Sequence, residues 1–130
     1  MSLTTALVWS AVLFWLMLIT AGLIKYRAWS LVGLGVMFGN RDDVPAYGAF
    51  ASRADRAAMN MLENMVLFIA VAAAVYFGGA ENDQTRLGAA IFFWARVAYW
   101  PAYLIGIPYV RTSIWAVGVV GVGIMAATLI

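Results

Sequence analysis

Leucine, isoleucine, valine, alanine and aromatic residues follow one another almost without a break from Leu3 to Ile24. A helix needs roughly 20 such residues to cross the hydrocarbon core of a bilayer, and this run has the length. The same pattern predicts a second span over about 57–77, closed by Gly78 and Gly79, a third over about 87–107, closed near Pro108, and a fourth over about 113–130. No Lys or Arg precedes the first run, which is too long for the core of a signal peptide and reads as a true span. Residues 28–40, AWSLVGLGVMFGN, are too few to cross and read as an interfacial or loosely packed connection. The expected fold is therefore all-α, an integral membrane four-helix bundle. It forms one domain over 1–130, since no repeat, low-complexity tract or linker marks a second.

Composition supports a lipid setting. The chain is 65% hydrophobic, with eight Lys and Arg and six Asp and Glu among 130 residues, too few to coat a soluble domain. There is no Cys and no His, which removes disulfides, thiolate nucleophiles, histidine bases and the usual zinc sites together. A net charge of +2 with no compact basic run argues against nucleic acid as a partner. The loop cations are one-sided: Lys25, Arg27, Arg41, Arg53, Arg56 and Arg111 fall at one end of the predicted spans and Arg86 at the other. The positive-inside rule then makes both termini extracytoplasmic in a multi-pass inner or plasma membrane protein. Tyr26, Trp29, Tyr76, Tyr109 and Trp115 sit near span ends, where aromatic residues anchor at the interface.

Polar residues inside the spans are the exception that calls for chemistry. In SRADRAAMNMLENMVLF, residues 52–68, Arg53, Arg56, Asn60 and Glu63 are spaced by three, four and three and so share one helix face. Glu63 lies on the order of 15 Å along that helix, near the bilayer middle. The third span repeats the device with Arg96, Tyr99 and Tyr103 on one face, and by depth Arg96 is the expected partner of Glu63. Pro101, one turn beyond Val97, removes a backbone donor and is expected to bend this helix. Such a stripe either joins helices or lines a binding site, and an isolated Glu63–Arg96 pair would serve the first purpose equally well.

RADRAAMNMLEN resembles the Arg-Ala-x-x-Asn-x-x-Glu signature of the membrane-associated proteins in eicosanoid and glutathione metabolism, the MAPEG family, in a bacterial-type form. The resemblance extends to chain length, to a long first loop and to the Arg96, Tyr99, Tyr103 pattern. It implies a homotrimer that binds glutathione between subunits at cytoplasm-facing sites. It further implies that Arg56, Asn60, Glu63, Tyr103 and Arg111 line such a site, with Lys25 or Arg27 at the end of the first helix. In the family an Arg followed by a hydroxyl residue sits by the thiol, and here that pattern falls on Arg111 with Thr112 or Ser113. Tyr99 stands where some eicosanoid-handling members carry a His, which argues against a prostaglandin-type reaction.

Glutathione chemistry also suits the residues themselves. Its two carboxylates, ammonium and thiol call for forked cationic donors, a buried carboxylate and a group that favours thiolate. Arg53, Arg56, Asn60, Glu63, Arg96 and Arg111 offer such a set, and the nucleophile would come from the cofactor of a protein that has no Cys. The second substrate would be a lipophilic electrophile dissolved in the membrane lipid. Two other classes fit the composition: a non-catalytic relative that binds lipid or a partner, and a small proton-coupled multidrug transporter using Glu63. The cations Arg53, Arg56 and Arg96 around that carboxylate disfavour the transporter.

Overall fold

The computed structural model describes residues 1–130 as five helices: α1 Leu3–Tyr26, α2 Leu31–Phe38, α3 Ala49–Phe77, α4 Asp83–Ile105 and α5 Pro108–Ala127. Each boundary has a local cause. Ser2 caps α1 by accepting from the Thr5 amide at 3.1 Å, and the helix stops where Arg27 enters the left-handed region at φ 52°. Ser30 accepts from Gly33 at 3.0 Å and starts α2 within the segment expected to connect the first two spans. α3 begins at Ala49, well before the apolar run, because no breaker lies between the Gly48 cap and Ala57. A reciprocal capping box, Asn82 with Thr85, opens α4, and Gly106 at φ 86° closes it. Pro108 occupies the first turn of α5, where its missing amide costs nothing.

α1, α3 and α5 are long and apolar enough to cross a membrane. α4 matches them in length at 23 residues, but Arg96, Tyr99, Pro101 and Tyr103 interrupt its apolar run, whereas the charges of α3 are followed by an unbroken apolar stretch from Met65 to Val75. The four long helices run up and down, so the cations from Lys25 to Arg56 and Arg111 gather at one end of the bundle and both termini lie at the other. At that second end the Leu3 amide donates to Glu81 at 3.4 Å and Arg86 Nε donates to the same carboxylate at 3.1 Å. Arg86, then the Leu3 amide, hold the Glu81 carboxyl below its ordinary range. A carboxyl depressed on folding contributes above its unfolded pKa, and the tether is lost as pH falls through the lowered folded value.

The core is built from Phe68 of α3 stacked on Phe92 of α4, with ring centroids 4.2 Å apart, and from Met17, Met61, Met65 and Met125 around them. α4 and α5 meet through glycine. A Cβ on Gly88 would lie 2.8 Å from Met125 Cγ and one on Gly121 would lie 2.8 Å from the Phe92 amide nitrogen, so neither position has room for a side chain. Gly123 faces open space. α2 folds back on the end of α1 so closely that a Cβ on Gly33 would collide with the carbonyls of Tyr26 and Arg27. Gly121→Leu should therefore lower stability by about 1–3 kcal/mol through overpacking. Gly123→Ala should be neutral or gain up to about 1 kcal/mol of helix propensity, both read by thermal unfolding in detergent.

Candidate functional site

Near the cationic end, one face of α3 meets the middle of α4 and the first turns of α5. The centre of this junction is Arg96, only 1% exposed. Its Nη1 donates to Asn60 Oδ1 at 3.1 Å and its Nη2 to the Trp115 carbonyl at 3.3 Å, while Nε has no partner. The guanidinium lies over the rings of Tyr99 and Phe92, at 5.0 and 5.5 Å from their centroids. Space for it comes from Gly118, where a Cβ would stand 2.6 Å from Nη2. Asn64 Nδ2 donates to the Asn60 carbonyl at 2.7 Å and to its side-chain oxygen at 3.3 Å. A single chain of hydrogen bonds thus links α3, α4 and α5 below the surface.

Above Arg96 opens a cleft of about 250 Å³ lined by Asn60, Tyr99, Tyr103, Arg111, Thr112 and Trp115. Tyr99 and Tyr103 stand one turn apart with ring centroids 5.4 Å from each other, and the Arg111 guanidinium covers the Tyr103 ring at 4.6 Å. The Thr112 hydroxyl donates to the Pro108 carbonyl at 3.3 Å and that of Ser113 to Tyr109 at 3.0 Å. Thr112 lines the cleft and Ser113 does not. A guanidinium, two phenols and a hydroxyl converging beside an indole make a site for a polar anion with an apolar flank.

Five of the residues read from the sequence, Asn60, Tyr99, Tyr103, Arg111 and Thr112, therefore share the cleft, with Arg96 beneath them. Others lie apart. Arg53 Nε donates to the Leu104 carbonyl at 2.9 Å and ties down the end of α4. Arg56 is exposed and donates to Ser52 Oγ at 2.6 Å, and Arg27 is exposed where α1 ends. The expected Glu63–Arg96 pair does not form, since Arg96 bonds to Asn60 and Glu63 is exposed. Arg96 meets α3 at Asn60, three residues or about 4.5 Å nearer the cationic end than Glu63, and Glu63 is rotated about 60° from Asn60 at 100° per residue, which turns it outward. Trp115 is the cleft residue that sequence reasoning assigned to interfacial anchoring. Its place three residues after Thr112, on the same face of α5, is the signal that could have found it.

A model of the MAPEG family matches residues 2–130, essentially the whole chain. The chain belongs to the MAPEG family. No curated protein and no solved structure matches it. As a MAPEG protein it is a membrane protein of a family associated with glutathione and eicosanoid metabolism, and the polar stripe on α3 falls within the matched region. In this MAPEG chain the coupling that matters for stability is Arg96 with Asn60. Asn60→Ala should cost about 1.5–3 kcal/mol, the range for losing a hydrogen bond to a buried charge. Asn60→Ala and Arg96→Gln should be non-additive in a double-mutant cycle, while Glu63→Gln and Arg96→Gln should add within about 0.5 kcal/mol. Denaturant unfolding in detergent, without ligand, reads both cycles.

Proposed function

We propose that the protein is a membrane-bound, glutathione-dependent transferase or peroxidase acting on lipophilic electrophiles. The observation that carries this reading is the convergence of Arg111, Tyr103 and Thr112 in one cleft at the cationic end of the bundle. In this assignment Arg111 holds the sulfur of glutathione as thiolate, and Tyr103 and Thr112, or Ser113 one residue on, supply the hydrogen bonds around it. Each unit of thiol pKa lowering corresponds to about 1.36 kcal/mol of preference for the charged form. The thiolate then attacks the electrophilic carbon, a carbon–sulfur bond forms, and the leaving group departs with the displaced electron pair.

Asn60 and Tyr99 border the peptide, and Arg96 fixes Asn60 from below. The exposed Arg56 and Glu63, together with Arg53, extend the site along α3 toward the carboxylates and ammonium of glutathione. A cleft of about 250 Å³ is small beside the roughly 300–1,000 Å³ usual for ligand pockets. That shortfall supports a site completed between subunits of a homotrimer, in which Arg27, remote from the cleft of its own chain, would serve a neighbour. α4 is the fourth span in this reading, the cationic end faces the cytoplasm and both termini are extracytoplasmic. The electrophile enters from membrane lipid.

Thermal unfolding with glutathione tests the assignment. A ligand at 100 times its Kd adds about 2.7 kcal/mol to a native state that alone binds it. No shift at millimolar glutathione would sink the reading. Arg111→Lys should keep the shift but weaken the ultraviolet thiolate band on binding, because an ammonium cannot reproduce the planar fork. Turnover with a model electrophile should fall about tenfold for each 1.4 kcal/mol of lost transition-state stabilisation.

A further inference from the structure

On the far side of α3 from the cleft, α1 and the folded-back α2 enclose a second pocket of about 360 Å³ that the proposed activity does not use. Its wall is graded. Trp15, Leu18, Ile19 and Gly22 recur at the spacing of one helix face and lead up α1 to Lys25, about 15 Å from Trp15 at 1.5 Å per residue. Trp15 and Leu18 are exposed, and nothing in the chain covers them. At the top, Lys25 Nζ donates to Asp55 Oδ2 at 2.7 Å and lies 4.9 Å from the Tyr47 ring centroid. That bond uses one of three ammonium donors and orients the group.

Arg41 completes the rim from the segment after α2. It is one of two non-glycine residues at positive φ, 62°, a backbone conformation that side chains rarely adopt and that marks sites where the surroundings impose it. Its Nε donates to the Met37 carbonyl at 3.0 Å and its guanidinium lies over Tyr26 at 5.1 Å. Both Nη groups are left without a partner in the chain, in the fork that suits a phosphate. Lys25 and Arg41 against Asp55 leave one net positive charge in the pocket. Arg41 also borders an adjoining cleft with Gly35, Gly39, Asp42 and Asp43, but it forms an ion pair with neither carboxylate, and both lie outside the lipid-facing pocket. On α2, Leu31, Val32 and Phe38 are 89%, 78% and 82% exposed, so the hook beside the pocket presents a bare apolar surface of the kind that lies in the headgroup layer.

We propose that this pocket binds an anionic phospholipid, its phosphate held by Arg41 and Lys25 and an acyl chain laid along Trp15, Leu18 and Ile19. The site is independent of glutathione. A soluble anion would leave the apolar wall uncovered, and a neutral lipid would leave the net charge unmet, whereas an anionic lipid satisfies both ends. Binding ties α1 to α2 and thereby holds the hook that Gly33 allows.

The test is thermal unfolding of the purified full chain in neutral detergent with mixed micelles of phosphatidylglycerol or phosphatidylcholine. Phosphatidylglycerol should raise the midpoint by several degrees more than phosphatidylcholine. Arg41→Gln should remove the difference and Arg86→Gln, at the opposite end of the bundle, should keep it. Because Arg41 also caps α2, Leu18→Glu, an exposed position on the acyl wall, provides a second variant that should lose the preference while folding. Equal stabilisation by the two lipids, or full preference retained in Leu18→Glu, overturns the proposal. So does an equal shift from soluble glycerol phosphate, which would make the ligand a free anion.

Discussion

A guanidinium with 1% exposure in the middle of an apolar bundle constrains almost everything around it. Removing such a charge from water is expensive, and it persists only where donors find acceptors and where packing admits its bulk. Asn60 supplies one acceptor and the Trp115 carbonyl another, so three helices are tied to one side chain. Gly118 supplies the volume, and the faces of Tyr99 and Phe92 supply the π density that a desolvated cation favours. The cleft residues stand on this support. Asn60, Tyr99 and Trp115 each touch Arg96 and each line the cleft, so the floor of the site and the centre of the polar network are the same atoms.

The two ends of the bundle have different characters. Where the termini meet the α3–α4 turn, the buried Leu3 offers its amide to a half-buried Glu81, whose ion pair with the exposed Arg86 water partly screens. The opposite end concentrates Lys25, Arg27, Arg41, Arg53, Arg56 and Arg111, of which Lys25 alone has a carboxylate partner within reach. Excess cation at one end is a topological signal to the translocation machinery and, in the same stroke, an attraction for anions. Any anionic ligand approaching this end meets a field that favours it before it meets a specific contact.

Three of the four expected spans, the membrane setting and five of the six cleft residues were legible in the sequence because they rest on strong periodic signals. A run of apolar residues has a length that can be counted, and polar residues three and four apart must share a helix face. What was not legible depends on rotation about the helix axes. Glu63 and Asn60 occupy the same stripe, but only one of them turns toward Arg96, and nothing local separates a carboxylate from an amide for that role. Trp115 escaped for a related reason, since an aromatic residue near a span end satisfies the interfacial rule equally well when it faces a cleft. The early start of α3 follows from the absence of breakers between Gly48 and Ala57, a negative signal that hydrophobicity alone does not weigh.

The glycine contact between α4 and α5 also has a mechanical meaning. Gly88 and Gly121 bring the two backbones into close contact, and Arg111 stands ten residues before Gly121, about 15 Å along α5. Such a contact acts as a fulcrum, with the helix above it as the lever arm. The bond from Arg96 to the Trp115 carbonyl pins that arm to α4 part-way along, so only the first turns of α5, with Arg111 and Thr112, extend beyond it. The mouth of the cleft is thus braced at two heights in the bundle, by backbone contact at Gly121 and by the Arg96 bond at Trp115.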